Sequence, residues 1–304
     1  MAEVKASGQV LGATVSGIDL SRALSAADFA LVLHALGRYG VLRFPGQRLE
    51  SEHLRDFSLR FGEIQQSVTG RLADRQVPEV GILSNIVENG EPIGLGDAGQ
   101  DWHTDMSYNR TIGFLNVLYA VQVPMRGTKP LGATLFANMH AAYEGLDPDL
   151  KELLKDKTAT HDFNKFWEKM RLRPGSKRGP LTAEQRAKRP PSVHPVILTH
   201  PISGRPVLYC NPGYATRINE LDERESEQVL ERVFAHQLQP KYLYTHTWTV
   251  GDLLVWDHVG TVHNAVPDYE PHEPRLMKRC QVMANRIFDP AFLRDAYAAG
   301  AAHH

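Results

Sequence analysis

The chain has 304 residues, of which 42% are hydrophobic and 23% are charged, a balance typical of a globular protein with a sizeable core. Its formal net charge of -1 gives no global field that would attract nucleic acid or a membrane surface. The sequence also contains no apolar run of the roughly 18 residues that a membrane span requires. From the charge and the missing apolar run together, we expect neither a nucleic-acid nor a membrane partner.

The two cysteines, Cys210 and Cys280, fit no zinc or redox spacing and are too few for a disulfide framework. We expect both to be free, buried thiols in a reducing compartment. Residues 1–17 lack the basic start and apolar run of a signal peptide, so the sequence predicts a cytoplasmic protein. The terminal His303 and His304 resemble the start of a purification tag and are not considered as metal ligands.

The first third of the chain predicts two helices and a strand. Ser25 is followed three residues later by Asp28, which indicates a capped helix start. The predicted helix has apolar residues at helical spacing and ends at glycines, which are Phe29, Val32, Leu33, Leu36, Gly37 and Gly40. A short strand over 41–44 and a second helix from about Ser51 follow.

The rest of the chain is rich in predicted strands. They cover residues 112–124, 134–136, 196–199, 207–209, 243–249, 252–257, 261–266 and 275–283. Asn138 and Asp147 are expected to begin short helices, and a longer helix is expected over about 223–236. Strands on both sides of an insertion do not fit a βαβ pattern. They predict one mainly β domain over 1–304, an antiparallel double-sheet barrel with flanking helices.

Residues 160–192 differ in composition from their surroundings. From Lys165 to Arg189 there are nine lysines and arginines against two glutamates, together with several prolines and glycines. One interpretation is a solvated surface loop. The other is a mobile, basic lid that draws an anionic substrate to the mouth of a site.

The motif that organises the chain is His103-Thr104-Asp105. A His and an Asp two residues apart on a strand point to the same face. A distant His could complete the two-His-one-carboxylate triad of non-haem Fe(II) oxygenases. A lone His-x-Asp occurs about once by chance in a chain with 14 histidines, so its meaning depends on the residues around it.

Those residues resemble the taurine and phenoxyacetate-herbicide dioxygenase family over about residues 17–287. The motifs, all in order, are Trp102-His103-Thr104-Asp105, Gly132-Ala133-Thr134, Gly251-Asp252-Leu253, Trp256-Asp257, His263, Arg275 and Arg279. The resemblance implies a double-stranded β-helix (jelly-roll) core. It also implies Fe(II) as the metal and 2-oxoglutarate and O2 as cosubstrates.

The resemblance implies that His103, Asp105 and His263 bind the iron, with His246 and His258 as alternatives for the third ligand. His258 departs from the Asn that the family usually has after its Trp-Asp pair.

The resemblance assigns 2-oxoglutarate to Thr134, Arg275 and Arg279, and it also places Arg279 near the anionic group of the substrate. A guanidinium fork suits this role because it binds a carboxylate with two parallel hydrogen bonds. Thr134 follows Gly132-Ala133 where the family often has Gly-Gly-Asp-Thr.

Two departures disfavour taurine as the substrate. Taurine-type enzymes have a His soon after a Gly-Glu pair, whereas here Gly62-Glu63 is followed by Gln65, Gln66 and Ser67. They also have an Asn four residues before the first iron ligand, where this chain has Gly99. The candidate pocket residues are Asn85, Ser67, Tyr108 and Phe163, with Met106, Phe166 and Trp167 as further candidates.

The sequence therefore predicts a dioxygenase that hydroxylates a small anionic substrate, such as an aryloxyalkanoate, a sulfonate, an alkyl sulfate or a related carboxylate. Two alternatives stay open, a zinc-dependent hydrolase that uses the same His/Asp/His site and a non-catalytic jelly-roll binding module. The family is often oligomeric, so a homo-oligomer stays open as well.

Overall fold

The computed structural model describes residues 2–65, 72–173, 176 and 178–301. Its strands, in chain order, are β1 (Glu3–Ala6), β2 (Ala13–Ser16), β3 (Val41–Phe44), β4 (Gly81–Ser84), β5 (Val87–Glu88), β6 (Glu91–Pro92), β7 (Gly113–Gln122), β8 (Met125–Arg126), β9 (Lys129–Pro130), β10 (Thr134–Asn138), β11 (Thr158–His161), β12 (Ser192–Pro195), β13 (Ile197–Thr199), β14 (Pro206–Leu208), β15 (Ala215–Ile218), β16 (Leu243–His246), β17 (Leu253–Asp257), β18 (Thr261–Ala265) and β19 (Leu276–Met283). Its α-helices are α1 (Ala26–Tyr39), α2 (Ser51–Leu59), α3 (Met139–Glu144), α4 (Pro148–Leu154), α5 (Phe163–Arg171), α6 (Ala183–Ala187), α7 (Glu223–Gln237) and α8 (Pro290–Ala301), and a 3-10 helix covers Pro240–Tyr242.

Two sheets carry the architecture. The large sheet has seven strands in the order β1-β2-β3-β17-β7-β19-β4, and the small sheet has the order β16-β10-β18. A third sheet, β12-β11-β15, and three two-stranded hairpins complete the β-structure of the described residues. Neighbouring strands are antiparallel except β2 and β3. The protein is therefore mainly β with flanking helices, as predicted.

The large sheet buries both of its faces. On one face, Leu118, Leu254 and Met277 share an apolar cluster with Phe136 of the small sheet. The rings of Phe136 and Trp256 lie 5.5 Å apart between their centroids, so the two sheets pack on each other. On the other face lies a larger cluster, which includes Val117, Val255, Cys280, Leu33, Leu36 and Leu54 of β7, β17, β19, α1 and α2.

Helix α1 confirms the predicted start and ends at Gly40, the second of the two predicted glycines. The Ser25 hydroxyl accepts a hydrogen bond from the Asp28 N–H and caps the helix. The helix continues through Gly37. The glycine at this position allows the helix to pack closely on Ile202, since an added Cβ would lie 2.4 Å from the Ile202 side chain. The helix ends at Gly40, where φ is 68° and the N–H bonds to the Leu36 carbonyl.

The predictions for two helix caps and for the two thiols are confirmed. Asn138 and Asp147 cap α3 and α4 with their side chains. Cys210 and Cys280 are free and buried, and burial raises the pKa of each thiol to about 12. Of the helices in the described part of the chain, none combines the length and the apolar character needed to cross a membrane.

The prediction that residues 160–192 form a loop is wrong in its local structure. This segment contains the helices α5 and α6. Helix α5 has Phe163, Phe166, Trp167 and Met170 at helical spacing, so an amphipathic pattern was present within the basic composition.

We expect Ser25→Ala to lower the free energy of unfolding by about 1 kcal/mol, because the first turn of α1 loses a side-chain acceptor. Urea denaturation followed by circular dichroism measures the change. Ser25→Thr keeps the hydroxyl and is the control, and equal stability of all three proteins would contradict the capping role.

Candidate active site

The two candidate histidine ligands face each other across an isolated antiparallel bridge. The His103 N–H donates to the His263 carbonyl at 3.0 Å, and the His263 N–H donates to the His103 carbonyl at 2.8 Å. The ring centroids lie 4.3 Å apart. The prediction that His103 and Asp105 share a regular strand is therefore wrong, because this bridge is followed at once by turns.

The backbone around His103 brings Asp105 to both rings. Asp101 has φ 89° and Met106 has φ 63°, so the chain turns sharply on either side of the motif. The Nε2 atom of His103 lies 3.5 Å from Asp105 Oδ1, and the Nε2 atom of His263 lies 3.6 Å from Asp105 Oδ2. One donor atom from each of the three residues lies within 4.8 Å of the others, which is a spacing that can hold a metal ion.

Hydrogen bonds fix how these donors are presented. The Nδ1 atom of His103 lies 2.7 Å from the Asp101 carbonyl. Because a carbonyl only accepts, Nδ1 carries the proton and the lone pair is left on Nε2, on the side of Asp105. The Asn116 side chain donates to Asp105 Oδ2 at 3.0 Å.

Asn116 was missed by the sequence analysis, although a signal existed. It is the one polar residue in the apolar run from Phe114 to Ala120 apart from Tyr119, and it is fully buried. A buried amide needs polar partners, and here the partner is a candidate ligand.

Electrostatics favour the forms that bind metal. Burial alone would raise the pKa of Asp105, but its close contacts with His103 and His263 and the charge of Arg279 outweigh burial and hold the pKa well below its ordinary value. Burial holds the pKa of His263 well below its ordinary value, and the neighbouring His103 lowers it further. The carboxylate is thus ionised and the imidazole is neutral near pH 7.

The two alternative histidines lie outside this group. His258 is fully buried with its Nε2 3.9 Å from Asp105 Oδ2, and neither ring nitrogen has a hydrogen-bond partner within the described residues. His246 lies 3.5 Å from the Asp252 carboxylate and packs edge-on against Trp248. Within the described residues, the converging donor set is His103, Asp105 and His263.

Thr134 and Arg275 have the properties expected of anion-binding residues. The Thr134 hydroxyl accepts a hydrogen bond from the Trp248 indole at 3.0 Å, which leaves its own hydrogen free to donate. The Arg275 side chain is buried, and no carboxylate of the described residues lies within 4.0 Å of its guanidinium. Burial lowers the pKa of Arg275, and an anionic partner would offset that desolvation.

A cavity of about 330 Å³ opens beside the candidate ligands. Its lining includes His103, Asp105 and Arg279 and an aromatic wall, which consists of Tyr108, Phe163, Phe166, Trp167 and Tyr214. The predicted residues Tyr108, Phe163 and Arg279 are thus brought together with the triad.

Three other candidate residues lie elsewhere. Asn85 accepts the Arg275 N–H at 2.8 Å and donates to the Glu273 carbonyl at 3.0 Å, so it fixes the backbone that carries Arg275. Met106 is fully buried in the turn after Asp105. Ser67 lies outside the described residues.

The basic segment is tied to the loop that precedes His103. Lys169 pairs with the Asp101 carboxylate, and Arg173 lies 3.5 Å from the same group. Arg178 pairs with Asp97 at 2.6 Å. Residues within 160–192 therefore line the cavity and contact the chain that presents the first ligand.

Comparison with known proteins shows which family the chain resembles over most of its length. The model of the family described as taurine catabolism dioxygenase TauD, TfdA family matches residues 3–281. The chain is 33% identical to pentalenolactone F synthase of Streptomyces avermitilis, with 95% of this chain and 96% of that protein covered. It is 29% identical to the alpha-ketoglutarate-dependent 2,4-dichlorophenoxyacetate dioxygenase of Burkholderia sp. strain RASC, covering 90% and 91%. The solved structure of AAD-2 with Mn(II) and N-oxalylglycine matches with a TM-score of 0.78 at 27% identity, covering 92% and 97%.

We expect Gly213→Ala to weaken metal binding, because a Cβ at this position would lie 2.5 Å from the His103 Cβ. The clash is with a rigid part of the side chain, so His103 must move. Gly179→Ala is the matched control, since nothing lies within 4 Å of its added Cβ. Absorption titration with Co(II) measures the affinity, and equal affinities for the two variants would contradict the expected close packing.

We expect Asn116→Leu to weaken Co(II) binding by roughly tenfold to a hundredfold, because Asp105 loses the donor that orients it. The same absorption titration measures the dissociation constant, and circular dichroism checks that the variant is folded. A folded variant with unchanged affinity would show that Asn116 does not position Asp105.

Proposed function

Because the chain belongs to the taurine catabolism dioxygenase TauD, TfdA family and is an Fe(II)- and 2-oxoglutarate-dependent dioxygenase, we propose that it hydroxylates a small anionic organic substrate. The substrate class includes aryloxyalkanoates, sulfonates, alkyl sulfates and related carboxylates. The observation that carries the proposal is the cavity whose lining combines His103 and Asp105 with the cationic Arg279. A relative named for 2,4-dichlorophenoxyacetate, itself a carboxylate, supports the anionic class.

His103, Asp105 and His263 would hold the Fe(II). Two imidazoles and one carboxylate are the donor set that suits this ion, and the three donors converge. With Fe(II) bound, the site supplies O2 activation coupled to the decarboxylation of 2-oxoglutarate to succinate and CO2. His103 offers Nε2 because Asp101 holds the proton on Nδ1, and Asn116 restrains the Asp105 carboxylate.

Arg275 and Thr134 would bind the far carboxylate of 2-oxoglutarate. The Arg275 guanidinium is buried with no carboxylate partner in the described residues, and the Thr134 hydroxyl has a hydrogen free to donate. A carboxylate bound by both would satisfy the buried charge and the hydroxyl together. Asn85 supports this site indirectly, since it holds the Arg275 backbone.

Arg279 and the aromatic wall would receive the substrate. Arg279 and Asp105 line the same cavity, so an anion near Arg279 lies close to the reacting centre. Tyr108 and Phe163 offer apolar surface for an aryl or alkyl body, and Ser67 stays a pocket candidate from the sequence alone. The rings also exclude water from the site.

The proposal extends to the architecture. We infer that the two packed sheets are the halves of a double-stranded β-helix, or jelly-roll, core within a single catalytic domain. We also infer that residues 160–192 act as its lid, because their helix α5 lines the cavity and their basic side chains bind Asp97 and Asp101. The free thiols fit a cytoplasmic location.

We expect Arg275→Ala to raise the KM for 2-oxoglutarate by about a hundredfold, because a charge-assisted, bidentate contact is lost. Succinate release at varied 2-oxoglutarate measures the change. Arg126→Ala is the control, since Arg126 is an exposed arginine already paired with Glu273. A KM that Arg275→Ala leaves unchanged would place the anchor elsewhere.

We expect succinate release to rise when the Fe(II)-loaded protein and 2-oxoglutarate meet a substrate from a panel of aryloxyalkanoates, sulfonates, alkyl sulfates and aliphatic carboxylates. Neutral esters and alcohols of the same skeletons are the controls. Stimulation by the neutral compounds and by no anion would contradict the anionic class, while leaving the cosubstrate chemistry in place.

A further inference from the structure

Arg189 is a cation on the cavity wall with no acidic partner. Its side chain is half-buried, and no carboxylate of the described residues lies within 4.0 Å of it. The nearby Asp162 is occupied as the cap of α5, where it accepts the Asn164 N–H at 2.8 Å. Its guanidinium instead lies 4.2 Å from the ring centroid of Phe163.

Its cationic neighbours on the basic segment are already paired. Arg178 binds the Asp97 carboxylate at 2.6 Å, and Lys188 binds the Glu184 carboxylate at 2.7 Å. Arg189 and Arg279 are therefore the cations of the described cavity wall that lack a carboxylate partner. A half-buried guanidinium held against an aromatic ring is ready to bind an anion, because little of its hydration remains to be removed.

A row of rings separates Arg189 from the candidate metal ligands. Phe163 lies parallel to Tyr214 with centroids 6.5 Å apart, and Tyr214 is edge-on to His103 at 6.1 Å. Arg279 lines the same cavity and is close enough for its charge to act on the Asp105 carboxylate, where it would also serve the cosubstrate. Arg189 thus packs on the aromatic wall, while Arg279 acts on the carboxylate of the candidate metal site.

We propose that Arg189 binds the anionic head of the substrate at the mouth of the cavity, as a carboxylate. The apolar body of the substrate then lies along Phe163 and Tyr214, and the carbon that is oxidised is several bonds away from the carboxylate. This inference rests on the proposed dioxygenase function and specifies its substrate further: the anionic head lies at Arg189 rather than at Arg279, and Arg279 then serves the cosubstrate alone. It makes Arg189 a residue that sets specificity, because it selects an anion and the length of the spacer behind it.

The test uses the protein loaded with Fe(II) and 2-oxoglutarate, without O2, in isothermal titration calorimetry. The probes are 4-phenylbutanoate, the shorter phenylacetate and the neutral 4-phenylbutan-1-ol. We expect 4-phenylbutanoate to bind about tenfold more tightly than the alcohol, because a charge-assisted hydrogen bond is gained. Phenylacetate should gain less, because it is too short to reach from Arg189 past both rings.

Arg189→Gln should abolish the preference for 4-phenylbutanoate over the alcohol and leave the affinity for the alcohol unchanged. The unchanged affinity for the alcohol also shows that the variant is folded. Lys188→Gln is the matched control, since it removes a neighbouring charge that Glu184 already neutralises, and it should keep the preference. Arg189→Lys should keep part of it, because an ammonium retains the charge but not the fork.

A preference that survives Arg189→Gln would overturn the assignment, and so would a wild-type protein that binds the carboxylate and the alcohol equally. In both cases, 2-oxoglutarate binding measured in the same instrument would show that the proposed function still stands. Wild-type protein that binds no 2-oxoglutarate would instead overturn the proposed function, and the role of Arg189 with it.

Discussion

The pair of reciprocal backbone hydrogen bonds between His103 and His263 is the constraint on which the site depends. It joins strand β18 to a loop far away in sequence, and it sets the two imidazoles 4.3 Å apart on the side where Asp105 lies. The surroundings hold this bridge in place. Asn264 accepts the Asp101 N–H at 2.7 Å, and Gly213 leaves room for the His103 side chain. A metal site of this kind needs donors on rigid elements, and here the backbone itself supplies the rigidity.

The second constraint is the need to neutralise charge inside an apolar shell. Asp105 lies between two imidazoles, while Arg275, Arg279 and Arg189 have no carboxylate partner among the described residues. An unpaired buried charge costs several kcal/mol, so the buried Arg275 needs an anion that arrives with the reaction, and the partly buried Arg279 and Arg189 are free to bind further anionic groups. They lie at three places: Arg275 beside Tyr269, Arg279 beside the metal ligands and Arg189 beyond a row of rings. That arrangement fits one dianionic cosubstrate and one anionic substrate.

The sequence predicted those features that local chemistry determines. Patterns within a few residues predict three of these features. They are the Ser25 helix cap, the strands of the last third and the burial of the two thiols. The candidate ligands were found from spacing and from resemblance to a family. The bridge between His103 and His263 could not be predicted, because it pairs distant segments and no local pattern encodes it. Helix α5 was not predicted, because it lies in a basic segment and only four apolar residues at helical spacing mark its apolar face. Asn116 could have been predicted as a site residue, because it is a polar residue within an otherwise apolar, buried strand.

The central claim is that His103, Asp105 and His263 hold Fe(II) and leave room for 2-oxoglutarate beside it. Anaerobic titration of the protein with Fe(II) and 2-oxoglutarate, followed by visible absorption, tests this most directly. The account predicts a weak charge-transfer band that grows to one equivalent of each and is absent in His263→Ala, but is retained in His246→Ala. Folded wild-type protein that gives no band, or a band that survives His263→Ala, would contradict the account.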